Sequence, residues 1–172
     1  SLFVHKVADI AERAIDTSAL LASIGIYPEA PVDPSVMVSD SDYYGFLESI
    51  ARAEQSGHTL PLRAGNSMRS DDYGVFGLAW KTASNLRASF TRAERYWRVM
   101  TSVSVYTVEP ADNGAFVHLH REGPRDLGLR LSNEATFASM FTISREIATQ
   151  PVKLHGIFFK HAGPENIAAH ED

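Results

Sequence analysis

The feature that most constrains this chain is the change of hydrophobic period just after residue 100. Before it, apolar residues recur three and four apart; after it, Val103-Ser104-Val105-Tyr106-Thr107-Val108 has the spacing of a strand. A chain with this change places most of its helices first and its sheet later. That order predicts an α+β fold and argues against a wound parallel sheet, in which the two periods alternate throughout.

The helical part divides at its own punctuation. Val7, Ile10, Ala11 and Ala14, then Leu20, Leu21 and Ile24, predict two short helices, with Asp16 or Thr17 as a cap between them and Gly25 as a stop. Three prolines between Tyr27 and Pro34 predict an extended loop, after which Ser39 or Asp40 caps a helix with Tyr43, Leu47, Ile50 and Ala51 as its buried stripe and Gly57 as its end. Leu60 to Gly65 leads into a turn from Asn66 to Asp72. Helical spacing resumes over Val75 to Ala83 and Asn85 to Met100, where Leu86, Phe90, Ala93 and Trp97 share a face.

In the strand-like part, Asp112-Asn113-Gly114 tolerates positive φ and predicts a hairpin into Ala115 to Arg121. After the break at Gly123-Pro124, the alternation of Leu127, Leu129 and Leu131 predicts a third strand. Ser132 or Asn133 then caps a helix carrying Phe137, Met140, Phe141, Ile143 and Ile147, which ends before Pro151, and Val152 to Lys160 predicts a fourth strand. The expected architecture is an N-terminal helical layer packed on a small, mainly antiparallel sheet (meander, helix, return strand). Residues 1–172 form one domain in this reading.

Composition narrows the partners. A formal net charge of −5 has the wrong sign for a domain that grips phosphates, and Arg87, Arg92, Arg95 and Arg98 read as a solvated helix face. The absence of cysteine excludes disulfides and thiolate metal sites and fits the cytoplasm. No apolar run approaches the roughly 20 residues of a membrane span, so no membrane partner is expected. The start at Ser1 and the end at His170-Glu171-Asp172 suggest a fragment, truncated at its C-terminus.

The stretch Met68-Arg69-Ser70-Asp71-Asp72-Tyr73-Gly74-Val75-Phe76-Gly77-Leu78-Ala79, followed by Asn85-Leu86 and Arg95-Tyr96-Trp97-Arg98, resembles the N-terminal, arabinose-binding-like region of AraC/XylS-type transcription regulators, in the subgroup that includes ornithine-utilisation regulators. Leu60 to Gly65 and Phe158-Phe159-Lys160-His161-Ala162-Gly163-Pro164 are similar to flanking parts of the same pattern. The chain departs from it at Asn85, where Thr is usual, at Ser89, where Ala is usual, and at Trp97, where a second Tyr is common. The resemblance implies a small-molecule-sensing domain whose effector is an amino acid or an amphipathic organic or fatty acid, with DNA reached only through a separate helix-turn-helix domain. It also implies a possible homodimer. Gly74 and Gly77 let the turn enter a closely packed helix, and Asp71 or Asp72 can accept N–H groups there.

No phosphate loop, nucleophile elbow or His-Glu-x-x-His is present, so an enzyme is not expected and no cofactor is implied. His118 and His120 fall on one strand face, with Glu122 on the same side if the strand persists; a cupin-like metal enzyme is the weaker alternative, and no metal is assigned. The residues best able to line an effector pocket between helices and sheet are Tyr43, Trp80, Tyr96, Trp97, Tyr106, Phe137 and Phe141, with His118, His120 and Arg130 available to orient a carboxylate. A dimerisation module that binds no ligand is the other alternative.

Overall fold

The computed structural model describes residues 2–33, 36–123 and 126–171. Pro34 and Pro124, which mark two expected breaks, lie outside the described residues. In chain order the main elements are α1 (Leu2–Ile10), α2 (Thr17–Ser23), α3 (Asp40–Ala53), α4 (Leu60–Ser67), α5 (Gly74–Lys81), α6 (Leu86–Tyr96), β1 (Ser104–Ala111), β2 (Gly114–Arg121), α7 (Leu127–Ile147) and α8 (Ala168–Glu171). Helices dominate and the strands form one antiparallel pair, an α+β fold. The chain divides into two compact units, one of Ser1–Met68, Arg125–Thr142 and Leu154–Asp172, the other of Arg69–Pro124 and Ile143–Lys153.

The first unit is helical. Its caps are those the sequence offers: Asp16 accepts from the Ser18 and Ala19 N–H groups at the start of α2, and Ser39 accepts from Asp42 at the start of α3. Gly25, at φ 76°, closes α2. Val4 and Val7 of α1, Leu21 of α2, Phe46, Leu47 and Ile50 of α3, Leu60 and Ala64 of α4, and Leu131 and Ala135 of α7 make one apolar core. Tyr43 and Ala51 only flank it, whereas Tyr44 and Phe46 are buried. α3 ends at Ala53, ahead of Gly57; a Cβ at Gly57 would meet the Ala51 carbonyl oxygen, so that glycine serves close packing. Where a turn was expected from Asn66, α4 continues to Ser67.

Two expected strands are absent among the described residues. Leu127, Leu129 and Leu131 open the 21-residue α7 instead of a third strand. The alternating leucines also satisfy a spacing of four, which puts Leu127, Leu131 and Ala135 together at the core. Asp126 accepts the Leu129 N–H over 2.9 Å and Arg130 pairs with Glu134 one turn on, so local bonds favour the helix. Ser132 and Asn133, expected as caps, lie inside it. Val152 to Lys160, expected as a return strand, runs without strand pairing. Residues 154–160 belong to the unit that has no strand among its described residues, so no ladder is offered to them.

In the second unit, a short 3₁₀ turn (Ser70–Tyr73) leads through Gly74 into α5. Gly74 sits at φ 55°, and a Cβ on Gly77 would come within 1.7 Å of the Ser70 carbonyl oxygen. Asp72 does accept a backbone N–H, from Arg69 at 2.8 Å, closing the turn rather than capping α5. Asn85 caps α6 by accepting from Ala88 at 2.9 Å. The hairpin pairs Ser104 with Arg121 through to Ala111 with Gly114. Asp112, Asn113 and Gly114 all keep negative φ, so the reversal does not use the positive-φ geometry that the sequence suggested.

Candidate functional site

The ten side chains singled out from the sequence separate into two groups. Tyr43, Arg130, Phe137 and Phe141 lie in the helical unit, and Trp80, Tyr96, Trp97, Tyr106, His118 and His120 in the unit with the hairpin.

The second group contains the most developed feature of the molecule, a continuous aromatic assembly that joins α5 and α6 to β1. Trp80 is surrounded by Tyr73, Phe76 and Phe90, with ring centroids 6.3, 5.9 and 5.9 Å away. Phe76 continues to Trp97 at 5.4 Å, and Trp97 meets Tyr106 edge-on at 4.3 Å. Trp80, Trp97 and Tyr106 are all buried. Tyr73, Phe76 and Phe90 were not among the expected pocket residues. Their signal was available, since Tyr73, Phe76 and Trp80 recur at three and four.

Polar groups are set into this apolar assembly. The Trp97 indole N–H donates to the Ser104 hydroxyl at 2.9 Å, and the Ser89 hydroxyl donates to the Trp80 carbonyl at 3.0 Å. Ser89 and Trp97 are two of the positions where the sequence departs from the family pattern, and each departure supplies a buried hydrogen bond. Trp80 is 1% exposed, and its own Nε1 has no acceptor among the described residues. An unspent N–H among aromatic rings is the kind of group that a bound acceptor would satisfy.

The other members of the group face outward. Tyr96 is exposed with the Arg95 guanidinium 5.5 Å from its ring centroid. His118 and His120 do share a strand face, their rings 6.2 Å apart, but that face is opposite Tyr106. His118 Nε2 lies 3.1 Å from Glu109, and His120 Nε2 lies 3.0 Å from the Thr107 hydroxyl. β2 ends at Arg121, so Glu122 is outside the strand. Among the described residues no group of three His, Asp or Glu side chains is placed to hold a metal ion.

The four arginines of the helix face are exposed, yet three are engaged. Arg87 donates to the Ala111 and Gly114 carbonyls at the hairpin end, Arg92 donates to the Ala79 carbonyl, and Arg95 covers Tyr96. Arg98 has no such partner among the described residues. It borders a depression of about 360 Å³ together with Ser102, Ser104 and Val105.

In the helical unit, Phe137 meets Phe159 edge-on at 5.8 Å, Phe159 stacks on His161 at 4.8 Å, and Phe141 is half-buried. Arg130 is committed to the buried Glu134, which also receives His170 Nε2 at 3.1 Å.

The hairpin unit thus packs α5, α6 and β1 around buried aromatic rings with polar groups set among them. The sequence of residues 15–172 matches the arabinose-binding domain of AraC transcription regulators, N-terminal, and the chain belongs to that family. No curated protein matches the chain. Among the described residues no helix is long and apolar enough to cross a membrane.

Proposed function

We propose that this chain is the effector-sensing part of a cytoplasmic AraC-type regulator of the ornithine-utilisation-like subgroup, and that it binds a small metabolite, an amino acid or an amphipathic organic or fatty acid. Residues 1–172 act as one sensing domain: the chain passes between its two units at 68/69, 124/125, 142/143 and 153/154, so no single cut separates them. DNA is held by a separate helix-turn-helix domain, consistent with the net charge of −5 here. Effector binding biases that domain by favouring one arrangement over another.

The observation that carries ligand binding is the buried Trp80 N–H without an acceptor inside an aromatic assembly. Trp80, Trp97 and Tyr106 are then the effector-facing residues. Operator affinity of the full-length regulator, measured by fluorescence anisotropy with and without each candidate effector, tests it. A change of about 5- to 150-fold with one effector class, reduced by Trp80→Phe, is expected. Affinity unchanged by every class contradicts it.

A second reading, a dimerisation module, is favoured by Val75 and Leu78 of α5, adjacent one turn apart and 85% and 59% exposed. Mass that rises with concentration and falls for Leu78→Lys, with no ligand bound, supports that reading instead.

A further inference from the structure

We infer that the depression bordered by Arg98, Ser102, Ser104 and Val105 is an anion subsite, and that it takes the carboxylate of a small organic acid. This deepens the sensing function proposed above and rests on it.

The chemistry comes from the two groups with unspent capacity. Arg98 carries a full charge and five N–H donors, and makes no ion pair or hydrogen bond among the described residues, unlike the engaged Arg87 and Arg92 on the same stretch. Ser104 is 2% exposed, so its hydroxyl is not simply solvated. Its oxygen accepts from Trp97 at 2.9 Å, and its side chain makes no other hydrogen bond among the described residues. The bond from the indole occupies one lone pair of the hydroxyl and leaves its O–H without an acceptor among the described residues. Ser102 adds a second hydroxyl at the exposed rim, and Val105, 42% exposed, adds an apolar side.

A guanidinium and hydroxyl donors suit a carboxylate, which accepts on both oxygens, whereas the guanidinium charge repels a cation. The volume of about 360 Å³ is at the small end of the range for ligand pockets, which suits an acid with a short apolar tail. The Trp97–Ser104 bond connects the subsite to the aromatic assembly, so an anion that polarises the Ser104 hydroxyl also changes the environment of Trp97.

Calorimetric titration of the 172-residue chain with benzoate and hexanoate, and with benzamide and hexanamide as uncharged counterparts, tests this, with tryptophan emission as a second readout. Both acids are expected to bind at least ~10-fold more tightly than their amides. Arg98→Gln is expected to lose that preference and Ser102→Ala to weaken it. Arg95→Gln, equal in charge change but away from the depression, is expected to leave it within about twofold, which separates a local contact from long-range attraction. Acid binding unchanged by Arg98→Gln overturns the subsite, as does failure of both acids to bind. Amides that bind as well as acids overturn the anion assignment while leaving a sensing domain in place. If neither acids nor amides bind, the subsite is overturned, and operator affinity in the full-length regulator decides separately whether sensing survives.

Discussion

The indole N–H of Trp97 donates to the hydroxyl of Ser104 across 2.9 Å, both residues being buried. This one bond fixes the turn after α6 to the first residue of β1 and sets the edge-on contact of Trp97 with Tyr106. It gives the indole N–H, largely withdrawn from bulk water, a partner within the fold.

Ser104→Ala therefore leaves the Trp97 donor buried without a partner. A loss of about 1–3 kcal/mol is expected, measured by urea denaturation followed by circular dichroism, with altered tryptophan emission. Unchanged stability would mean that the bond contributes nothing net.

The glycines separate steric need from habit. Gly77→Ala drives a methyl into the Ser70 carbonyl and is expected to cost about 1–3 kcal/mol. Gly45→Ala, in the middle of α3 with open space around the new Cβ, is expected to stabilise by about 0.5–1 kcal/mol. Melting temperatures moving in opposite directions check the pair.

Arg63 holds the buried Glu54, and also donates to the Ile10 carbonyl at 2.6 Å. Arg63→Ala leaves that carboxylate with the Glu12 N–H, at 2.8 Å, as its remaining donor among the described residues and is expected to cost about 3 kcal/mol, the lower end for a broken buried pair because that bond survives and Arg63 is partly exposed. Adding Glu54→Gln should restore part of the loss in a double-mutant cycle.

Glu12 supplies a pH dependence of known sign. The Ser56 hydroxyl at 2.6 Å, then the Ser56 N–H, the Gln55 N–H and the charge of Arg63, hold its carboxyl below the ordinary value of 4.5 against the opposing effect of burial. A carboxyl depressed in the folded state contributes stability above its unfolded value, and that contribution is lost as pH falls through the folded one. The stability difference between the wild type and Glu12→Gln is expected to be largest near neutrality and to shrink below about pH 4.5. A difference that grows on acidification contradicts this.

Much of the fold was legible because local chemistry and global packing agree. Asp16, Ser39 and Asn85 cap the helices their positions suggest, and the hairpin falls on Asp112-Asn113. Alternation failed at Leu127 to Leu131 because residues four apart satisfy both periods, and only the Asp126 cap and the Arg130–Glu134 pair favour the helix. Val152 to Lys160 failed for a different reason over 154–160, since strand propensity has no outlet in a unit without a strand among its described residues. At the candidate site, the sequence could name Trp80, Trp97 and Tyr106 as large aromatics. It could not show that Tyr96, one residue from Trp97, faces outward, or that Arg98 has no hydrogen bond or ion pair among the described residues while Arg87 and Arg92 are engaged. Those distinctions arise from which carbonyls the fold brings within reach.

Effector sensing is tested most directly by a thermal-shift titration of the chain against amino acids, polyamines, fatty acids and aromatic acids. At about 100 times Kd a bound effector stabilises by about 2.7 kcal/mol, or about 5–10 °C for a domain of this size. A saturable shift of that order for one class, reduced in Trp80→Phe, is the predicted result. A melting temperature that does not move with any class would contradict effector sensing by this domain.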